Sequence, residues 1–172
     1  MGRENVLFVM DEKNYTNDMP LIERHGVRAI ICKDGKYAMQ RGLDREYKIP
    51  GGGIDKGETD SDALYREVRE ETGMIIDQSK SEYIGEVLEY RRDIFDNNKR
   101  FIQHSRFYKC YVTDEVTELS LTQSEIEKGY TLEWADLDTI IRNNEAMQND
   151  FWMIRDTRFL KWFRDRGETI EG

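Results

Sequence analysis

Cysteine is scarce in this 172-residue chain. Cys32 and Cys110 form no CxxC pair and are too few for a disulfide framework, which leaves reduced thiols as the expectation. Histidine is equally rare. His25 and His104, with no cysteine cluster beside them, give little basis for a zinc hydrolase. No apolar run approaches membrane-spanning length. The opening residues Met1 to Val6 lack the apolar region of a signal peptide, and Val6 stands where a myristoylation motif needs Ser or Thr. A soluble, cytoplasmic protein with no membrane partner is expected. Positive charge is also in deficit: 26 basic against 35 acidic side chains leave a net charge of −9. That balance argues against a large nucleic-acid footprint. A phosphate-rich small molecule is still acceptable if divalent cations sit between it and the protein, because the ions invert the local field.

What is abundant is charge, 35% of residues, well above the usual quarter or so, so the surface must be densely ionised. The length suits one domain over 1–172, with no repeat or linker to divide it. Val6 to Met10 reads as a short strand within an N-terminal extension of about twenty residues. His25 to Lys33 and Lys36 to Arg41 read as a hairpin turned by Asp34-Gly35. Tyr83 to Tyr90 and Arg100 to Val112 read as a second hairpin across Asp96-Asn97-Asn98. Thr131 to Trp134 suits a last strand and Leu137 to Arg142 a short helix begun by Asp136 or Asp138. Glu145 to Arg166 reads as a helical segment interrupted near Asp156-Thr157. Its aromatics, among them Phe151, Trp152, Phe159 and Phe163, suit packing against the core or a second subunit, which leaves a homodimer open. The fold class expected is α/β or α+β, a sandwich with a mixed sheet.

Chemistry concentrates between Pro50 and Met74. Gly51, Gly52 and Gly53 let backbone approach a ligand or ion closely. Thr59 and Asp62 form a capping box, and Gly73 stands at a helix terminus, so a helix is predicted over about Asp60 to Thr72. On it Glu67, Glu70 and Glu71 are spaced i, i+3, i+4, which confines three carboxylates to one arc. Like charges so placed repel, and Leu64 and Val68 put that arc at the border of the buried face. Hard cations such as Mg²⁺ or Mn²⁺ take oxygen ligands and answer that repulsion. A solvated acidic helix face is the alternative on these residues alone.

The whole string decides between them. Gly52, five residues, Glu58, seven residues, then Arg66-Glu67-Val68-Arg69-Glu70-Glu71-Thr72-Gly73-Met74 resembles the signature of the Nudix (MutT-like) hydrolases at every specified position. The resemblance implies an α/β/α sandwich with a mixed sheet. It also implies Mg²⁺- or Mn²⁺-dependent hydrolysis of a nucleoside diphosphate linked to another moiety. Carried onto this chain, it makes Glu70 and Glu71 the main metal-binding carboxylates and Glu67 a further ligand or the general base. It gives the Gly51 carbonyl a metal-binding role. Arg66 would orient the glutamates and Glu58 would tie loop to helix, with Gly52 and Gly73 structural in the motif. In some relatives the base lies outside the signature, and Glu125, in preference to Glu127, is the candidate here.

The resemblance names the bond but not the substrate. ADP-ribose pyrophosphatases often carry a proline past the signature, whereas this chain has only Pro20 and Pro50. Dinucleoside polyphosphate hydrolases often carry a tyrosine there, and Tyr90 stands sixteen residues past Met74. Arg92, in the turn that follows with Arg91, Lys99 and Arg100, could reach a phosphate tail. Arg41 and Tyr47 could contact a base. A nucleoside triphosphate is the leading small-molecule substrate, with dinucleoside polyphosphates, nucleotide sugars and ADP-ribose as alternatives. A non-catalytic nucleotide sensor is the reading from another class.

Overall fold

A computed structural model describes residues 5–147 and 150–167. The outermost residues of the expected N-terminal extension (1–4), two positions of the expected terminal helix (148–149) and residues 168–172 lie outside the described residues. Strands β1 (Val6–Asp11), β2 (Leu21–Ile30), β3 (Cys32–Lys33), β4 (Lys36–Arg41), β5 (Tyr47–Lys48) and β6 (Gly51–Gly53) precede helix α1 (Asp60–Thr72). There follow β7 (Met74–Ile76), β8 (Glu82–Arg92), β9 (Arg100–Lys109), β10 (Val112–Val116), α2 (Gln123–Glu127), β11 (Thr131–Ala135), α3 (Leu137–Glu145) and α4 (Phe151–Asp165).

The main sheet is mixed, in the order β1-β8-β9-β2-β6. β8 and β9 form a long antiparallel hairpin, while β2 runs parallel to β9 and β1 parallel to β8. A second sheet, β11-β4-β3 with β5 on β4, stands beside it. The hairpin expected across Asp34-Gly35 forms with both residues at positive φ, 51° and 78°.

Alternation along β2 divides the apolar interior into two layers. Val27, Ala29 and Ile31 pack against Ala63, Leu64 and Val68 of α1. Ile30 joins Val87 and Phe107 beneath Phe159, Leu160 and Phe163 of α4. Phe107 and Phe159 stack face to face at 3.8 Å between ring centroids. A helix therefore covers each face of the sheet, as an α/β/α sandwich requires.

One expectation is corrected in the tail. Helix α4 runs unbroken through Asp156 and Thr157, and both residues are buried. Asp156 looked like a helix breaker in sequence, but its carboxylate accepts a hydrogen bond from Arg155 Nε at 2.8 Å and so tolerates the interior of the helix. The short helix α2 was not foreseen. It starts in a capping box between Thr122 and Glu125 inside a stretch read only as polar.

Truncation of Phe159 to alanine removes a fully buried ring from the α4 layer. It is expected to cost about 3–5 kcal/mol, measured as a lower urea midpoint with unchanged m-value.

Candidate active site

The site begins with a backbone constraint. Gly51 has φ 149°, and a Cβ there would stand 2.0 Å from the Val27 carbonyl oxygen of β2. Only glycine allows the loop to lie so flat against the sheet. In that position the Gly51 amide donates to Glu71 Oε1 at 2.8 Å, reaching a carboxylate that is 3% exposed. A Cβ on Gly52 would fall 2.5 Å from Glu67 Oε1, so the Glu67 carboxylate occupies the space that this glycine leaves open.

Helix α1 presents the glutamates because its two ends are fixed. Thr59 and Asp62 form the capping box, and Gly73, at φ 76°, ends the helix in left-handed geometry with its amide on the Arg69 carbonyl. Arg66 ties helix to loop. Its Nε donates to Glu58 Oε2 at 2.7 Å and its Nη2 to Glu58 Oε1 at 2.9 Å, a bidentate pair. Nη1 reaches Glu67 Oε1 at 2.9 Å and lies 3.5 Å from Glu70 Oε2, while Nη2 also donates to the Gly53 carbonyl at 3.1 Å. The hydrogen bonds from Arg66 hold the Glu58 carboxyl down at about 2.

Electrostatics single out Glu71. Burial raises its pKa well above the usual carboxylate range, even though the Lys48 ammonium lies 4.0 Å away. Its carboxyl meets that of Glu125, carried on α2, within hydrogen-bonding reach. Burial works against ionisation of Glu125, but hydrogen bonds from Glu71 and from the Thr122 amide outweigh it and lower its pKa. Burial also raises Glu67 and lowers Lys48. One buried and three half-buried carboxylates with a single lysine are a donor set suited to a hard divalent ion. Glu67, Glu70, Glu71 and Glu125 are the residues that would hold it.

Beside the glutamates a cavity of about 600 Å³ opens between β2, the ends of β8 and β9, and the start of α4. Arg24, Gly26 and Arg28 line it from β2, Gly53 from the loop, and Arg91 from β8. Arg28 lies within electrostatic reach of Glu67 and Glu71. The cavity therefore adjoins the glutamate loop at Gly53, whose carbonyl accepts from Arg66.

The structure gathers Gly51, Gly52, Glu58, Arg66, Glu67, Glu70, Glu71 and Glu125 at this place, with Gly73 fixing the end of their helix. Three other sequence candidates, Arg41, Tyr47 and Arg92, have their polar groups committed elsewhere, and the fourth, Tyr90, is absent from the cavity lining. Arg41 Nη1 donates to Tyr47 Oη at 2.7 Å and to Glu133 at 2.7 Å, and Tyr47, 3% exposed, itself bonds Glu133 at 2.9 Å. That cluster braces β4, β5 and β11. Arg92 donates to the carbonyls of Asn14 and Asn97 at 2.7 Å each. Tyr90 and Arg92 alternate with Glu89 and Arg91, and it is Glu89 and Arg91 that line the cavity. Lys48, Arg28 and Arg155 were missed. Lys48 could have been noticed as the polar member between Tyr47 and Ile49, two core residues flanking the glycine loop. The two histidines meet beside Glu23, with ligand atoms within 4.8 Å. His104 already bonds Glu86 and Glu23, and His25 contacts Arg106.

A family model described as the NUDIX domain matches residues 22–163. The chain belongs to the NUDIX family. Relatives include the RNA pyrophosphohydrolase of Campylobacter jejuni subsp. doylei and that of Campylobacter jejuni RM1221. Each is 38% identical over 63 residues, 37% of this chain. The match spans 40% of those relatives' length. Among solved structures, a NUDIX hydrolase from Nitrosomonas europaea superposes with a TM-score of 0.59 at 20% identity, covering 86% of this chain and 91% of the other. That likeness is one of fold. No helix among the described residues is long and apolar enough to cross a membrane.

The Glu58–Arg66 pair makes stability depend on pH in a defined sense. Because the folded carboxyl titrates at about 2 rather than 4.5, its contribution is complete above 4.5 and disappears as pH falls towards 2. Wild type should exceed Glu58→Gln in urea midpoint at pH 7, and the gap should close across that window.

Proposed function

We propose that the protein is a divalent-cation-dependent pyrophosphohydrolase. It would cut the phosphoanhydride bond of a nucleoside diphosphate linked to another moiety, with a nucleoside triphosphate, or a molecule that ends in one, as the leading substrate. The observation that carries this reading is the contact of buried Glu71 with half-buried Glu125 beside Glu67 and Glu70, a cluster that calls for a cation between its carboxylates. The name of the Campylobacter relatives adds the triphosphorylated end of an RNA to the candidates.

A bound Mg²⁺ or Mn²⁺ would neutralise phosphate oxygens and lower the pKa of a coordinated water. Of the four carboxylates, Glu70 and Glu71 would be the main ones to hold the cation, and the Gly51 amide fixes the Glu71 carboxylate in place. Glu125 has one oxygen committed to the Thr122 amide at 2.9 Å and its carboxyl turned to Glu71. It acts as a positioning residue. Glu67, oriented by Arg66 and lying along Gly52, takes the proton of the attacking water. Lys48, 4.0 Å from Glu71, would receive the charge of the substrate phosphates.

The assignment is tested by measuring phosphate or pyrophosphate release with Mg²⁺ over a nucleotide panel. Glu67→Gln should lose about 10²–10⁴ in kcat at every metal concentration, whereas Glu125→Gln should recover as Mg²⁺ is raised. Glu71→Gln should lose both turnover and the metal-induced rise in Tm. Wild-type turnover by Glu71→Gln would remove that residue from the metal site. A wild type that is silent with every nucleotide, yet melts higher with one of them, would favour a sensor.

A further inference from the structure

The cavity beside the glycine loop is lined by four arginines, Arg24, Arg28, Arg91 and Arg155, and by three acids, Glu89, Asp93 and Asp150. Nε and Nη1 of Arg28, Nε and Nη1 of Arg91, and Nη2 of Arg155 are all buried, and none has a hydrogen-bond acceptor among the described residues. Arg155 is 3% exposed as a whole residue and lines the cavity. Five unpaired donors of three guanidinium groups thus lie buried in the wall of one cavity.

The neighbouring carboxylates do not fill this need. Glu89 accepts from Arg155 Nη1 at 3.2 Å, and Asp156 from Arg155 Nε at 2.8 Å. Asp93 Oδ2 is committed to the amides of Phe95 and Asp96. Asp156 Oδ2 is the one oxygen of these three acids that is itself buried without a partner, against five such nitrogens on the arginines. Arg91 is moreover held in place, its guanidinium stacked 4.4 Å from the Phe101 ring and 4.6 Å from the Phe151 ring. A cation held between two rings keeps its orientation with no acceptor of its own. The first turn of the fifteen-residue α4 opens at the same place, from an Asp150 cap that makes no side-chain capping bond, so its free amides add to the positive potential. At the rim, Ile94 and Phe95 stand exposed and offer apolar cover for a base or sugar.

We propose that this cavity is a subsite for a second phosphate group of the substrate, a phosphate ester that is not cut, carried on the same nucleotide whose pyrophosphate lies at the glutamates. The planar, forked donors of Arg28, Arg91 and Arg155 match phosphate oxygens. Gly53 borders both the cavity and the Arg66–Glu67 cluster, so one molecule can reach from one to the other. The inference rests on the pyrophosphohydrolase reading for the scissile bond but is tested separately from it.

The test uses substrate pairs that differ by one phosphate: NADPH against NADH, coenzyme A against dephospho-coenzyme A, and a 5′-triphosphorylated dinucleotide against ATP. Wild type with Mg²⁺ should favour the extra phosphate in at least one pair by about tenfold in kcat/KM, the worth of a charge-assisted hydrogen bond. Arg91→Met, which keeps the stem between the two rings, should level that pair through KM, and Lys161→Met on the outer side of α4 should not. Turnover with no preference in any pair, or a preference that survives Arg91→Met, overturns the subsite and leaves the hydrolase reading intact. If wild type cuts none of these compounds, the hydrolase reading fails for them. Metal-free calorimetric titration then decides the subsite: adenosine 3′,5′-bisphosphate should bind more tightly than AMP and lose that advantage in Arg91→Met. Equal binding of the two, or none, overturns it.

Discussion

Mutual repulsion among the carboxylates of Glu67, Glu70, Glu71 and Glu125 is the constraint around which the rest of the site is arranged. Three of them share one arc of α1 and the fourth is brought from α2, at the margin of a buried face where water screens poorly. Arg66 relieves part of this strain and joins the loop to the helix while doing so, since the same guanidinium holds Glu58, Glu67 and the Gly53 carbonyl. The Gly51 amide and Lys48 relieve another part at Glu71. What they leave uncompensated defines the place for a cation.

The same constraint explains why glycine is confined to a few positions. A side chain at 51 would strike β2, and one at 52 would displace the Glu67 carboxylate. The loop lies flat because β2 is close, and the glutamates converge because the loop is flat. Backbone packing and the electrostatics of the site are one arrangement rather than two.

The sequence made the α1 segment legible because its determinants are local: a capping box, a C-terminal glycine, and helical spacing of acids and apolar residues all lie within Thr59 to Gly73. The β8–β9 and β3–β4 hairpins were legible for the same reason, through their turn residues. The cavity was not, because its wall depends on strand parity, and parity is fixed only by which face of the sheet α4 covers. Tyr90 and Arg92 were attractive by type, yet Glu89 and Arg91 are the residues on that face. Glu125 and Glu71 were each legible as candidates but their contact was not, since only the fold of α2 onto the site pairs them. Arg41 and Tyr47 show the converse: proximity to the glycine loop in sequence led to a bracing cluster with Glu133.

The parallel pairing of β2 with β9 has a consequence for how the chain acquires its structure. His25 meets His104, and Arg28 meets Phe107, so the strand that supports the glycine loop is held by a partner some eighty residues later. Closing loops of that size is entropically slow, and parallel pairing cannot begin from a tight turn. Helix α1 can form early from its own caps, with its acidic arc uncovered. As the chain leaves the ribosome, the glutamates would exist before the surface that gathers them, and the site would close only when β9 has docked.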